Sequence, residues 1–230
     1  MVWTKRLAAP KIWPIERKKF KYAVTPLPGP HSKDFSIPLA IIIRDILGYA
    51  ENLKEAKKII HSGKIKVDGR VVKEYRFPVG LFDTISIEEI NEYYRVLPHK
   101  KGLKLEKIDE NEAKLKIVRV KKKTQVSKNK YQLTFHDGKN VLVEDNSIKP
   151  YDSLLIELPN LKIKKHIKFE EGKIGLIVKG ENAGSYGEIK KIHKGGFNRA
   201  WLVEIDVGNK VITDRKNIFV VGEKEPLIKL

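Results

Sequence analysis

The amino-acid sequence predicts a mixed α+β chain built from several modules, and three observations carry that reading. Between residues 37 and 72 apolar side chains recur twice at helical spacing and then give way to a hairpin signal. From about 115 to 143 they alternate at the period of a strand. Beyond 173 short apolar runs are cut by glycine-containing turns, which suits a small antiparallel β barrel. The expected organisation is a basic, proline-rich N-terminal arm (1–36), a helix-helix-hairpin module (37–100), a central antiparallel β domain (101–172) and the C-terminal barrel (173–230).

The charge balance narrows the function. Lys and Arg number 47 against 29 Asp and Glu, a net +18 over 230 residues. A lysine-rich heat-stable surface would be matched by glutamate, so this excess predicts an anionic partner, most often nucleic acid. The sequence has no cysteine, which excludes disulfides, thiol catalysis and zinc-thiolate sites. No apolar run approaches the roughly 20 residues that span a bilayer, and no signal-peptide core opens the chain. A soluble, cytoplasmic protein is expected.

The first 33 residues carry eight basic side chains, one Glu and five of the eleven prolines, too many for a regular domain. Aromatic and aliphatic residues from Trp3 to Tyr22 are interleaved with Lys5, Arg6, Lys11, Arg17, Lys18, Lys19 and Lys21. Such an arm could order on RNA, its rings (Trp13 among them) stacking while the cations meet phosphates, or it could fold back on its own domain. Next, Leu39, Ile42, Ile43, Ile46 and Leu47 mark a helix with Pro38 in its first turn and Gly48 as its stop. A second helix opens on Asn52 with Glu55 three residues on, a variant capping box, turns Ala56, Ile59 and Ile60 inward, and stops at Gly63. The strand "KIKV" then returns through Asp68-Gly69 as "RVV".

That order, with "AKKIIHSGKIKVDGRVV" and the closing "VGLFDTISI", resembles the alpha-L RNA-binding motif of ribosomal proteins, pseudouridine synthases and tyrosyl-tRNA synthetases. The resemblance implies one cationic surface from Lys54, Lys57 and Lys58 on the helix and Lys64, Lys66 and Arg70 on the hairpin, with Leu53 standing where many members have a basic residue. Over the whole chain, "KRLAAPKIW", "GPH", "PLAIIIRDILGYA", "KVDGRVV", "PVGLFDTISI" and "NIFVVG" occur in the order seen in the archaeal and eukaryotic small-subunit ribosomal protein four family, e type, which the chain resembles. Membership implies an arm, an alpha-L domain, a central β domain and a C-terminal SH3-like KOW domain. It also implies partners in small-subunit rRNA and neighbouring ribosomal proteins, location on the cytoplasmic ribosome, and no cofactor, membrane or small-molecule substrate.

In the central region "KYQLTFHDGKNVLVE" reads as a hairpin. A two-residue Asp137-Gly138 loop would leave Val141 facing away from Phe135, so a three-residue loop or a bulge pairing 135 with 141 is expected. Upstream, "AKLKIVRVKKK" alternates with a slip between Ile117 and Val118, which suggests a bulge, and ends in Lys121, Lys122 and Lys123, either a solvated strand end or an RNA contact. In the C-terminal module "VKGENAGSYGE" resembles the KOW motif. Gly180, Gly184 and Gly187, with Lys179, could present peptide N–H groups to a phosphate, or the glycines could only shape a turn. The family often has extra basic residues here; this sequence has Ala183, Ser185 and Tyr186. A nucleotide-binding loop is excluded by the missing Gly-Lys-Ser/Thr ending and following helix.

Enzyme chemistry finds no support. Consecutive histidines stand at least 27 residues apart, so no local metal-ligand spacing exists, and no nucleophile elbow is present. The alternative of a free-standing RNA factor, or an RNA-modifying enzyme with borrowed modules, would have to fit a catalytic domain into residues 101–172.

Overall fold

The computed structural model describes residues 3–196 and 200–230. They form two compact units, one of the residues up to Leu97 with Lys101–Lys114, the other of Pro98–Lys100 with Leu115–Leu230.

The first unit is organised on a five-stranded sheet in the order Arg70–Val71, Ile65–Val67, Thr84–Ile87, Glu92–His99, Gly102–Ile108. Asp68 and Gly69 both take positive φ, 50° and 73°, the two-residue turn that matches hairpin twist, and Val67 faces Arg70. The helix Leu53–His61 is capped as expected. The Asn52 side chain accepts from the Glu55 N–H at 3.0 Å, while the Glu55 carboxylate accepts from the Glu51 N–H, and Gly63 follows with φ 79°. Ala56 and Ile60, four residues apart on one stripe, are fully buried; Ile59, expected inward with them, is only half-buried at the edge of that stripe.

The helix expected over 38–48 is irregular. A single α turn, Leu39–Ile41, runs into a π turn, Ile42–Ile46, in which the Leu47 N–H reaches the Ile42 carbonyl. Pro38 stands at the cap and ends the strand Ser36–Pro38, which pairs with Pro78–Gly80. All five residues from Leu39 to Ile43 are buried, so this segment is enclosed on every side and has no polar face to set a regular period. Gly48, at φ 73°, ends it as expected.

The arm folds back on this unit. Trp3–Lys5 pairs antiparallel with Tyr22–Val24. Arg6, 1% exposed, meets Asp45 at 2.7 Å and donates to the Glu16 carbonyl, and Asp45 also holds Arg44. The Phe20 ring lies 5.3 Å from the Arg6 guanidinium and 4.6 Å from that of Arg44. Trp13, 2% exposed, donates its indole N–H to the Ser36 carbonyl at 2.6 Å, and Arg17 donates to the carbonyls of Ala9 and Pro10. Gly102 is required here, because a Cβ would collide with the Ile12 backbone. Thus Trp13 and Arg6 are corrected from RNA-contacting groups to anchors of the arm, since neither presents surface to a partner.

The second unit holds two five-stranded antiparallel sheets. The central one runs Asn140–Val143, Lys130–Phe135, Leu115–Ser127, Ser153–Glu157, Lys162–Ile167. Its core gathers Val118, Val120, Leu133, Phe135, Ile148, Leu154, Ile156 and Leu158. The hairpin turns through three residues, His136 to Gly138, with the Phe135 N–H on the Lys139 carbonyl. Val141 therefore shares the face of Phe135, as expected, but its partner is Leu133. The bulge expected at Ile117–Val118 is absent there, where pairing runs unbroken from Leu115↔Glu157 to Arg119↔Ser153. Both residues are buried because both faces of the strand are covered; the register shifts instead between Val120 and Lys122. The C-terminal sheet runs Lys210–Asp214, Leu202–Asp206, Tyr186–His193, Ile174–Ile177, Ile218–Gly222, and packs Ile177, Ile189, Val203, Ile205, Ile218 and Val220 with Ile167 and Phe169.

Two contacts give testable expectations. Arg6→Ala should remove about 1.5–3 kcal/mol, the worth of a hydrogen bond to a charged group, from the first unit. It should also speed limited proteolysis within the first 30 residues, whereas rapid cleavage there in the free wild type would contradict a folded arm. In the second unit Lys116 and Asp137 form an ion pair, 3.0 Å apart, with both side chains fully buried. Burial alone would raise the Asp137 pKa, but the Lys116 ammonium outweighs it and holds the carboxyl at about 2, below the ordinary 3.8. A depressed folded value means the pair's contribution is complete above about pH 4 and is lost as the pH falls through about 2. Asp137→Asn should therefore cost about 3–5 kcal/mol at neutral pH by stranding the lysine, and should flatten the acid-induced loss of hydrogen-exchange protection in Leu115–Ser127 between pH 4 and 2. An identical acid transition in the variant would contradict this assignment.

Candidate nucleic-acid interface

On the first unit the helix Leu53–His61 and the segment after the hairpin together build a cationic face. Lys54 and Lys58, one turn apart, are exposed, as are Arg70 and Lys73, and none of the four has an ion-pair partner among the described residues. Tyr75 lies beneath the helix, its ring 4.2 Å from the Lys57 ammonium and 6.4 Å from the His61 ring, so Lys57 is half-covered. The Lys73 side chain passes beside Gly63, within 3.2 Å of where a Cβ would stand. Lys64 and Lys66 are drawn away by Glu89 and Glu88, at 2.8 and 2.5 Å. The predicted six-cation surface is thus reorganised: Lys54, Lys58 and Arg70 remain open, Lys57 is stacked, Lys64 and Lys66 are paired. Lys73 and Tyr75 join it without having been picked out from the sequence, although Lys73 directly follows the "RVV" strand.

In the arm Lys5, Lys11, Lys18 and Lys19 are exposed, while Arg6, Trp13 and Arg17 face inward. Lys121 and Lys122 are exposed on the long central strand. Lys123 instead donates to the Asn146 and Ile148 carbonyls and sits 4.3 Å over the Tyr131 ring, so it closes the loop beneath the sheet.

The glycine-rich loop closes on itself. The N–H groups of Ala183, Gly184 and Ser185 donate to Gly180, Ile177 and Asn182 carbonyls, which leaves none of the three for a phosphate. Gly180 and Gly184 take φ of 107° and 89°. Gly187 sits so close to the neighbouring strand that a Cβ there would collide with the Asp206 carbonyl. All three are needed for the shape of the loop and the closeness of that strand. Lys179 remains exposed at the loop's start.

A titratable cluster on the first unit centres on Glu92, which accepts from the hydroxyls of Tyr49 and Tyr94 and from the Lys107 ammonium. The Tyr49 hydrogen bond, then those of Tyr94 and Lys107, hold the carboxyl at about 2, a permanently charged, weakly basic group. Among the described residues no group of three or more His, Asp or Glu could hold a metal, and no helix is long and apolar enough to cross a membrane.

Known proteins match along nearly the whole chain. The RS4NT domain model matches residues 4–34, the S4 domain model 37–85 and the Ribosomal family S4e model 90–163. The small ribosomal subunit protein eS4 of Ignicoccus hospitalis is 47% identical over 98% of this chain and 93% of its own length. Its counterpart in Methanocaldococcus jannaschii is 44% identical over 98% and 96%. The crystal structure of the 30S ribosomal protein S4e from Thermoplasma acidophilum superposes with a TM-score of 0.73 at 34% identity, covering 83% of this chain and 96% of that one. With the helix-hairpin face and the ordered arm preceding it, these matches place the chain in the S4e family of ribosomal proteins.

Proposed function

We propose that the chain is a structural constituent of the small ribosomal subunit, holding folded rRNA through its basic surfaces on the cytoplasmic ribosome. Its partners are small-subunit rRNA and neighbouring ribosomal proteins, and it carries out no catalysis. The observation that carries the reading is the face of Lys54, Lys58, Arg70 and Lys73, left without counter-charge among the described residues on a module whose apolar side is sealed by Ala56, Ile60, Ile65 and Val67. A net charge of +18 would be self-repelling without a polyanion to receive it. Similarity over 98% of the chain leaves no stretch of it for an added catalytic domain, which sets aside an RNA-modifying enzyme.

Within this reading the chain comprises an arm (1–36), an alpha-L module (37–100), a central β domain (101–172) and a KOW-type, SH3-like barrel (173–230). Five short antiparallel strands and the tight Gly180–Gly187 loop support the last. Exposed Lys5, Lys11, Lys18, Lys19, Lys121, Lys122 and Lys179 extend the RNA-facing surface.

The test separates binding from folding. Replacing Lys54 and Lys58 together by Ala should change stability by no more than about 0.5 kcal/mol. The same variant should weaken rRNA binding and lower the salt slope of the affinity by about one unit for each phosphate it no longer neutralises. Ile60→Ala should do the reverse, costing about 2–5 kcal/mol through a cavity. A double-lysine variant that melts early yet binds normally would overturn the assignment of this face, and wild-type protein that never co-sediments with 30S particles at moderate salt would overturn the function.

A further inference from the structure

The second unit contains a cleft of about 230 Å³ whose lining sets three cationic side chains, Lys149, Lys168 and Arg215, beside two carboxylates, Asp152 and Glu170, with Ser147 and Phe169. Its construction is more deliberate than that of the other surfaces. Asp152, buried, accepts from the N–H groups of Lys149 and Phe169, each at 2.9 Å, and from the His166 ring at 2.8 Å. One carboxylate thus ties together the two backbone segments that carry Lys149 and Lys168.

Arg215 completes the cleft. Its guanidinium lies 4.0 Å from the Tyr151 ring, 4.7 Å from Phe169 and 4.6 Å from Trp201, and it donates to the Pro150 carbonyl at 3.3 Å. Its Nε–H is buried with no acceptor among the described residues. Arg119 approaches the other side of the system, 4.2 Å from Phe219 and 5.6 Å from Tyr151, and donates to the Lys216 and Ile218 carbonyls, while the nearby Asp152 carboxylate favours the charged form of Arg215 without an ion pair to it. Tyr151 sits between them at φ 76°, an uncommon conformation for a tyrosine, fixed by its N–H on the Val120 carbonyl. Elsewhere on this protein surface lysines are commonly met by glutamates, as in Lys64–Glu89, Lys114–Glu110, Lys164–Glu157 and Lys190–Glu188. Lys149 and Lys168 have no ion-pair partner among the described residues.

We infer that this cleft seats a backbone phosphate of the rRNA, with Lys149 and Lys168 closing on it and the Arg215 guanidinium adding positive charge at its floor. The inference rests on the rRNA-binding function proposed above and adds to it a defined site outside the helix-hairpin face. The chemistry is that of charge-assisted hydrogen bonds to a phosphodiester in a partly desolvated cleft, where they are stronger and more geometrically selective than contacts from lysines on an open face.

The experiment uses the full chain and small-subunit rRNA. Both lysine side chains are exposed, so Lys149→Ala with Lys168→Ala should fold with the wild-type melting temperature. Affinity at moderate salt should fall about tenfold or more, and the salt slope should drop by about two units, one per lysine. Phosphate-ethylation interference gives an independent readout: at least one phosphate whose ethylation blocks the wild type should become silent in the double variant. Unchanged affinity and slope, or an identical interference pattern in the two proteins, would overturn the cleft as a phosphate seat while leaving rRNA binding through the helix-hairpin face intact. A wild type that fails to bind rRNA at all would overturn both.

Discussion

A cation removed from water must find an anion, an aromatic face or a row of carbonyl oxygens, and most of this architecture follows from how 47 basic side chains meet that requirement. Arg6 finds Asp45, Arg95 finds Glu112 and Lys116 finds Asp137, each with the basic side chain essentially fully buried. Arg119 is enclosed against Phe219 and donates to the Lys216 and Ile218 carbonyls; burial, with the nearby Arg215 charge, lowers its pKa to about 10. That value still leaves it charged at neutral pH. Lys123 resolves the same demand with two carbonyls and a tyrosine ring. Arg6, Arg95 and Lys116 cannot serve a partner, because the fold encloses them.

The cations left over define the functional surface. Glu88 and Glu89 remove Lys66 and Lys64 from the helix-hairpin face, yet no acid among the described residues answers Lys54, Lys58, Arg70 or Lys73. Solvent-exposed pairs of the first kind contribute little to stability, so their effect is chiefly to edit the field that RNA meets. A face whose cations are held on a capped helix and a two-residue turn also loses less conformational freedom on binding than a disordered tail would. The same reasoning applies to the arm. Its backbone is fixed by Arg6, Trp13 and Arg17, so Lys5, Lys11, Lys18 and Lys19 are displayed from an ordered scaffold.

Local rules made much of this legible in the sequence. Asn52 with Glu55, Asp68-Gly69, Gly48 and Gly63 are decisions made within four or five residues, and each took the structure its chemistry demands. The ordered motifs from "KRLAAPKIW" to "NIFVVG" carried the family. What escaped depended on long-range burial. The arm's composition cannot distinguish arginines that meet phosphate from arginines that meet Asp45 or an alanine carbonyl, because the side chain is the same and only the enclosing surface differs. Periodicity likewise misplaced the bulge near Val118, since a strand covered on both faces has no polar side to set its phase, and it overstated Ile59, which lies at the edge of the helix's buried stripe. The glycine loop left two readings open for a related reason: whether an amide points outward or closes a turn is settled by the carbonyls nearby.

The cleft beneath Lys149 and Lys168 shows the converse case, a site with no motif. Its lysines stand 19 residues apart in sequence and are brought to one cleft by one buried carboxylate, Asp152, through main-chain hydrogen bonds that almost any residue type could donate. Nothing at positions 149 or 168 therefore distinguishes them from other surface lysines until the sheet is formed. Arg215 is fixed by rings from three separate segments, Tyr151, Phe169 and Trp201, so the floor too exists only in the folded chain. Recognition of a phosphate backbone asks for charge at set positions and little else. A protein whose partner is a folded polyanion can therefore place its binding groups wherever packing makes them rigid, and the rules that decide those positions are the rules of the core.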